Sequence, residues 1–264
     1  MKKLFRLAAY GFAIIAAFSS CSKSDDGLSQ KDVETKIIGR WKNHRLEGEE
    51  YITNNKRVMT FLEGGKVLYS MAGVHADLQD VWYNKTEFSY SVDGTTINVY
   101  GSALSTEAFV SMTVNSISDN KMNTVFVNGG FPDIKFNEEY ERVTVDYSSA
   151  IIGLWEGVEF TGDETFGDAN HRIKYNGANE LGDGTSVYYD KIGEEWVPRE
   201  DVFSRYNVDG DWLASQWQNA GSDEVNFELW EIAEINDTVM KWTALRERED
   251  GTRYTATFTW KKIE

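Results

Sequence analysis

The chain has 264 residues, a formal net charge of −16, an aromatic content of 14% and a single cysteine, Cys21. This length suits one large domain or two small ones. An acidic surface repels phosphate groups, so the charge argues against nucleic acid as a partner. One cysteine leaves no pair for a disulfide within the chain, so we expect packed apolar cores to supply the stability.

The first 20 residues have the pattern of an export signal. Lys2, Lys3 and Arg6 precede an apolar run of 12 residues, 7–18. A membrane-spanning helix needs about 20 residues, whereas the apolar core of a signal peptide has about 7–15. Residues 1–20 are therefore predicted to be a signal peptide.

Cys21 follows the apolar run directly after two small serines. This arrangement resembles the lipobox of bacterial lipoproteins, in which the cysteine thiol is lipidated and becomes the new N-terminus. The resemblance implies that Cys21 carries a lipid and that the protein is anchored to the outer membrane in the cell envelope. The alternative is an ordinary secretory signal with a cysteine at this place by chance.

Residues 21–36 are predicted to comprise the lipidated N-terminus, a flexible tether and a short helical turn. The tether, 22–30, is polar and has no hydrophobic periodicity. Within it, Lys23, Asp25 and Asp26 resemble the acidic surface-export tag of Bacteroidetes lipoproteins. The resemblance implies display on the cell surface, with the periplasmic face of the outer membrane as the alternative.

Four short segments recur in the same order, which indicates a tandem duplication. Residues 37–41 recur at 151–155, 90–94 at 206–210, 117–119 at 235–237, and 140–143 at 260–263. The offset between the copies grows only from 114 to 120 residues along the chain. We therefore predict a first domain at 37–145 and a second at 146–264.

Each domain is predicted to consist of short strands joined by turns. Residues 254–260 alternate aromatic or alanine side chains with threonine, which is the period-two pattern of a half-buried strand. Asp93-Gly94 and Asp209-Gly210 are predicted hairpin turns, because a type I′ turn needs positive φ angles that these residues tolerate. Turn signals about every 8–12 residues are typical of a β-sandwich or an up-and-down barrel.

A Gly-x-Trp sequence lies near the start of each domain, and a basic residue lies on each last strand. This pattern resembles the lipocalin-like (calycin) barrel, in which the tryptophan packs at the closed end under the basic side chain. The resemblance implies an all-β fold of two tandem small antiparallel up-and-down barrels, with a pair of sandwiches as the alternative. The chain thus resembles a Bacteroidetes-type lipoprotein with two lipocalin-like domains. The signature residues are Gly39, Trp41 and Arg142 in the first domain and Gly153, Trp155 and Lys262 in the second.

The sequence contains no motif of a known catalytic site. It has no zinc-protease motif, no nucleophile elbow, no phosphate loop and no cysteine pair. Its three histidines, His44, His75 and His171, are scattered, and no acidic segment has the ligand spacing of a calcium loop. We therefore predict no catalytic residue, no metal site and no cofactor, and we expect a protein that is not an enzyme.

Three tryptophans of the second domain are candidate ligand contacts. Trp196 lies in a polar stretch that is predicted to be a loop, where its ring can stack on a sugar or an apolar molecule. The alternative is that Trp196 covers the barrel mouth as a plug. Trp212 and Trp217 are five positions apart, which places them on opposite faces of a regular strand, one in the core and one exposed.

These observations leave two functional hypotheses. In the first, a lipid-anchored envelope protein binds a small apolar molecule or glycan in its barrels, since a closed barrel of about eight strands can hold one small ligand. In the second, the barrels are filled by their own side chains and form a structural or protein-interaction module for an envelope protein partner. In both, the protein contacts the membrane through its lipid anchor.

Overall fold

The structure, a computed structural model, describes residues 27–72, 82–101, 107–162, 171–179 and 183–263. It contains two closed eight-stranded antiparallel barrels in tandem, which confirms the predicted all-β fold. The alternative of two sandwiches is wrong. The predicted signal peptide and the predicted lipidation site, Cys21, lie outside the described residues.

Barrel 1 closes by pairing its first strand with its last. Its strands are β1 (Gly39–Leu46), β2 (Glu49–Glu50), β3 (Arg57–Leu62), β4 (Lys66–Ala72), β5 (Trp82–Asp93), β6 (Thr96–Tyr100), β7 (Val110–Ile117), β8 (Lys121–Asn128) and β9 (Lys135–Val143). β1 pairs with both β3 and β9, and the short β2 lies outside the ring. A one-turn 3-10 helix at Thr53–Asn55 precedes β3.

Barrel 2 repeats this arrangement. Its strands are β10 (Gly153–Thr161), β11 (His171–Tyr175), β12 (Asp183–Ile192), β13 (Glu195–Pro198), β14 (Val202–Asp209), β15 (Trp212–Asn219), β16 (Val225–Ile235), β17 (Val239–Glu247) and β18 (Arg253–Lys262). β10 pairs with both β11 and β18, which closes the ring. The short β13 pairs only with β12 and lies outside the ring.

Helix α1 (Gln30–Ile37) lies where the sequence predicts a helical turn. Ser29 and Asp32 form a capping box, in which each side chain accepts a hydrogen bond from the backbone N–H of the other. Val33 and Ile37, one helical turn apart, are fully buried in the core of barrel 1. No helix in the described part of the chain combines the length and apolarity that a membrane span requires.

A cation over a tryptophan closes one end of each barrel. The indole N–H of Trp41 donates to the carbonyl of Ile37 at 2.7 Å, and the Arg142 guanidinium carbon lies 4.3 Å from the Trp41 ring centre. Trp155 makes the same 2.7 Å bond to the residue four positions before it, and Lys262 Nζ lies 5.2 Å from its ring. The structure thus brings together the signature residues that the lipocalin resemblance implies.

Gly39 is required by this closed end. Its φ angle is +123°, a conformation that side chains disfavour, and a Cβ atom here would overlap Nη1 of Arg142. The Arg142 side chain is held in this position, because its guanidinium also donates to the carbonyls of Ile38 and Lys36. Gly153 has a similar φ of +136° in barrel 2.

The barrels contact each other through an apolar patch. Val58 of β3 packs against Trp212 and Leu229 of barrel 2, and all three side chains are fully buried. Next to this patch, the backbone N–H of Leu245 donates to the Thr53 hydroxyl at 2.8 Å. The 3-10 helix of barrel 1 therefore lies against β16 and β17.

Ion pairs surround the apolar patch, with cations from barrel 1 and carboxylates from barrel 2. Lys42 Nζ lies 2.6 Å from a carboxylate oxygen of Glu231 and 2.8 Å from one of Asp211. Lys56 Nζ lies 2.6 Å from the other oxygen of Glu231. Burial alone would raise the pKa of Glu231, but the two ammonium groups overcome it and lower the pKa to about 2.

A second ion cluster centres on Asp209, whose side chain is 1% exposed. Arg40 Nε lies 3.0 Å from Oδ1 of Asp209 without hydrogen-bond alignment, and Lys85 Nζ lies 3.9 Å from the same oxygen. The hydroxyl of Ser70 donates to Oδ2 at 2.9 Å. These partners offset the cost of burying the carboxylate and join the barrels at the β14–β15 turn.

We predict that Gly39→Ala lowers the free energy of unfolding by about 3 kcal/mol, since backbone strain and steric overlap add. Chemical denaturation measures the loss. The control is Gly48→Ala, at φ +85° with no atom near its Cβ position, which should cost only the strain, about 1 kcal/mol. Equal losses in the two variants would contradict a role for the Arg142 contact.

We predict that Glu231 makes the free energy of unfolding depend on pH in the acidic range. Its folded pKa lies below the unfolded value of about 4.5, so its contribution is complete above that pH and is lost as the pH falls towards 2. The shift corresponds to about 3 kcal/mol. Denaturation of the wild type and Glu231→Gln between pH 6 and about 2 measures this difference.

The matched control for this titration is Glu194→Gln, an exposed carboxylate in the turn between β12 and β13. It should follow the wild-type pH profile, whereas Glu231→Gln should be less stable at pH 6 and show a flatter loss below about pH 4.5. Parallel profiles for all three proteins would show that the interface carboxylate contributes nothing.

Candidate functional site

A cavity of about 460 Å³ lies in barrel 2. Its volume falls in the range of about 300–1,000 Å³ that is typical of small-molecule sites. Inward-facing side chains of β16, β17 and β18 form much of its wall. The aromatic lining residues are Tyr188, Trp217, Trp230, Trp242, Phe258 and Trp260, together with the adjacent Tyr189.

The aromatic wall is packed ring against ring. Phe258 and Trp260 stack with their ring centres 4.4 Å apart, and Trp242 lies 4.7 Å from Trp260. Trp230 follows at 5.8 Å from Trp242. Each ring thus restricts its neighbour, so the wall is formed before any ligand enters.

One carboxylate, that of Glu228, lies in this aromatic wall. The indole N–H of Trp230 donates to Oε2 of Glu228 at 3.0 Å. Burial raises the pKa of Glu228, and the bond from Trp230 and the charge of Arg246 oppose the rise. Glu228 makes no salt bridge with any residue in the described part of the chain. A polar ligand group in the cavity can therefore pair with it.

His171 and two charged groups form the rest of the site. The His171 ring lies edge-on to Phe258 and Trp260, at 5.0 and 5.1 Å. Burial lowers the pKa of His171 against the opposing charge of Asp190, so the imidazole is neutral at pH 7. Asp190 and Arg199 pair at 3.7 Å with side chains 60% and 36% exposed, which places solvent at this side of the cavity.

The strand registers show which residues of barrel 1 and barrel 2 occupy equivalent positions. Trp41 faces Arg142 across the closing strands as Trp155 faces Lys262. The bulge after Val114 between β7 and β8 recurs after Ile232 between β16 and β17. Five cavity residues of barrel 2 thus have an equivalent position in barrel 1. His171 is equivalent to Arg57, Phe258 to Glu138, Trp260 to Tyr140, Glu228 to Val110, and Trp230 to Met112.

A charged cluster occupies the equivalent volume of barrel 1. The guanidinium of Arg57 pairs with the buried carboxylate of Glu138 and donates to the hydroxyl of Tyr140 at 2.7 Å. Its carbon lies 4.6 Å from the ring centre of Phe126 and 5.7 Å from that of Tyr140. In barrel 2, His171 replaces the arginine and a phenylalanine replaces the glutamate. The open cavity therefore lies where barrel 1 carries its own ion pair.

The three predicted ligand contacts, Trp196, Trp212 and Trp217, lie in different parts of the structure. Trp217 lines the cavity, whereas Trp212 is fully buried against barrel 1. The two tryptophans lie on opposite faces of β15 as predicted, because the strand runs without a bulge. Trp212 belongs to the contact between barrels rather than to the core of barrel 2.

Trp196 lies on β13, so the predicted loop at this place is wrong. The polar residues around it belong to a two-stranded extension formed by β12 and β13, and β13 lies outside the barrel ring. The guanidinium carbon of Arg172 lies 4.4 Å from its ring centre. Neither Trp196 nor Trp212 is among the residues that line the cavity.

Where the structure describes them, the histidines that the sequence offers lie apart from the cavity, except for His171. His44 lies 3.8 Å from Glu141 on the outside of barrel 1, and His75 lies outside the described residues. Within the described ranges, no group of three or more histidine, cysteine, aspartate or glutamate residues is arranged to hold a metal ion.

No protein-family profile and no curated protein matches this chain. Among solved structures, a protein of unknown function from the DUF3598 family of Nostoc punctiforme is 11% identical, with 89% of this chain and 100% of that chain covered and a TM-score of 0.25. Transferrin binding protein B from serogroup B Neisseria meningitidis is 6% identical, with 79% and 65% covered and a TM-score of 0.25.

A transferrin binding protein B variant from Haemophilus parasuis is 8% identical, with 76% of this chain and 44% of that chain covered and a TM-score of 0.24. The chain thus spans less than two thirds of both transferrin-binding proteins. Similarities at this level carry no argument about function, which rests on the cavity itself.

We predict that Trp217→Ala weakens binding of the neutral apolar dye N-phenyl-1-naphthylamine by about tenfold, because it removes one aromatic wall of the cavity. Trp196→Ala should change the affinity by less than about twofold, since Trp196 stacks on Arg172 outside the cavity. Fluorescence titration of the dye measures both values.

The third variant of this series is Trp212→Ala. It should lower the free energy of unfolding by about 3–5 kcal/mol, because it leaves a void between the barrels. Dye affinity at a temperature where the protein is folded should stay near that of the wild type. A loss of binding in Trp196→Ala and not in Trp217→Ala would place the site on the β12–β13 extension.

Proposed function

We propose that this protein is a binding module of the cell envelope, in which barrel 2 holds one small organic ligand, an apolar molecule or a glycan. The observation that carries this proposal is the aromatic cavity of about 460 Å³, with the carboxylate of Glu228 in its wall and that of Asp190 on its solvent side. A filled structural barrel has no need of such a space, and barrel 1 shows how the same positions are filled.

The chemistry of the wall supports a ligand with a flat or apolar body. Faces of Trp242, Trp260 and Phe258 bury apolar surface, and the same faces stack on the C–H groups of a sugar ring. Three tryptophans and a phenylalanine also fix the shape of the site, since their rings are held by one another. The few polar groups then orient the ligand.

The proposed location is the outer membrane, with the lipid on Cys21 as anchor and the surface of the cell favoured over the periplasmic face. The sequence before and after Cys21 supports this part of the proposal. A polar tether between the anchor and α1 would let the barrels stand clear of the lipid head groups. We propose no enzymatic activity.

A second candidate function is a protein-interaction module, and one exposed apolar site favours it. The turn between β8 and β9 carries Phe131 and Ile134, which are 66% and 48% exposed. A photo-crosslinker at position 131 in intact cells would recover an envelope protein partner if this turn is a contact. A crosslink to no protein would remove the support for this candidate.

We predict that the protein isolated gently from its source carries a small molecule. Native mass spectrometry should show an added mass that disappears on denaturation, because a preformed apolar cavity retains its ligand. Trp217→Ala, purified in the same way, should carry less of it. A bare chain mass in both proteins, with no added mass after incubation with a cell extract, would contradict the proposal.

A further inference from the structure

The ligand of barrel 2 can be defined further by charge, and this inference rests on the function proposed above. Buried carboxylates are costly unless a cation pairs with them. The described residues hold several such groups, and their cations are close: Arg57 for Glu138, and Lys42 with Lys56 for Glu231. Glu228, half-buried in the cavity wall, is the exception: among the described residues it accepts a hydrogen bond from Trp230 and has no ion pair.

The duplication shows that Glu228 is not needed to build a barrel. Its equivalent in barrel 1 is Val110, a core residue that is 3% exposed. An apolar side chain therefore suits this position in the same fold. A glutamate here costs stability unless a further group compensates its charge.

The nearest basic side chain, Arg246, is engaged elsewhere. Its Nη1 donates to Oδ1 of Asn54 and its Nη2 donates to the carbonyl of Leu229, both at 2.8 Å. Its guanidinium carbon lies 4.7 Å from the Trp230 ring centre. Arg246 thus ties barrel 2 to barrel 1 and acts on Glu228 only through its charge.

Two other basic groups line the cavity, and neither pairs with Glu228: Arg199 pairs with Asp190 and Asp201 on the solvent side, and His171 is neutral. His171 occupies the position of Arg57, and burial keeps its pKa below the ordinary value. Barrel 1 therefore supplies its own cation between a carboxylate and aromatic rings, whereas in the described part of barrel 2 the carboxylate of Glu228 has no cation paired with it. The net charge of −16 also favours the approach of a positive ligand.

We propose that barrel 2 binds an organic cation, a protonated amine or a quaternary ammonium on an apolar body, which takes the place that Arg57 fills in barrel 1. Its charged group pairs with Glu228 and lies over the faces of Trp242 and Trp260, as the Arg57 guanidinium lies over Phe126 and Tyr140. The rest of the molecule fills the aromatic wall.

The test compares three probes of one shape: 2-phenylethylammonium, the neutral 2-phenylethanol and the anionic 3-phenylpropionate. Isothermal titration calorimetry of the full chain at pH 7 should give an affinity for the ammonium at least about tenfold above that for the alcohol. A hydrogen bond to a charged group contributes enough binding free energy for this ratio. The anion should bind most weakly.

Glu228→Gln should lower the ammonium affinity by at least about tenfold and leave the alcohol affinity unchanged, which shows that the cavity is intact. His171→Arg should block the ammonium by filling the cavity from within, as Arg57 does in barrel 1. The matched control is Glu159→Gln, which removes one exposed carboxylate from the outside of the same barrel and should bind all probes like the wild type.

Equal affinities for ammonium and alcohol, or an unchanged ammonium affinity in Glu228→Gln, would overturn the inference and leave the proposed cavity function standing. Binding of none of the three probes, together with no bound molecule in native mass spectrometry, would overturn both. A loss of ammonium binding in Glu159→Gln equal to that in Glu228→Gln would reduce the effect to overall charge and also overturn the inference.

Discussion

The cost of burying a carboxylate is the constraint on which this molecule depends. An unpaired charge in a protein interior costs several kcal/mol, so each buried carboxylate requires a cation at a fixed place. Glu138 determines how barrel 1 is filled, and Glu231 and Asp209 determine how the barrels meet. Glu228, which is half-buried, has no ion pair among the described residues, and its side chain lines the cavity. The cations of the other three are Arg57, Lys42 with Lys56, and Arg40 with Lys85.

The two copies keep the closure of the barrel and differ in what the barrel contains. Both retain the glycine at positive φ, the indole bond to the carbonyl four residues earlier and the cation over the ring. The interior positions are free to change, because the strands pair through their backbone groups. The inward side chains need only fill or line the space. Exchange of Arg57 for His171 and of Glu138 for Phe258 removes an ion pair and leaves aromatic walls. Among the described residues, barrel 1 thus carries an ion pair at the positions where barrel 2 carries the wall of a cavity.

The fold and the closed ends could be predicted from the sequence because they depend on local patterns. Alternating side chains, Asp-Gly turns and the Gly-x-Trp repeat lie within short windows. The cavity depends on residues from separate strands, such as Trp217 and Phe258, which only the register brings together. The sequence does contain a sign of Glu228. At the repeat offset of 118 residues Glu228 aligns with Val110, so a charged residue replaces a core residue. Trp212 could not be placed, because its outward face is covered by the other barrel.

β16 connects the binding site to the contact between barrels. Its period-two alternation points Glu228 and Trp230 into the cavity and Leu229 and Glu231 towards barrel 1. Two alternate residues of this strand therefore line the ligand site, and the residues next to them, Leu229 and Glu231, are held by Val58 and the lysines of the other copy. Since barrel 1 fixes the outer face of this strand, it also limits how far the inner face can move. Barrel 1 then acts as a support for the cavity wall of barrel 2, which gives the duplication a physical use that a single barrel would lack.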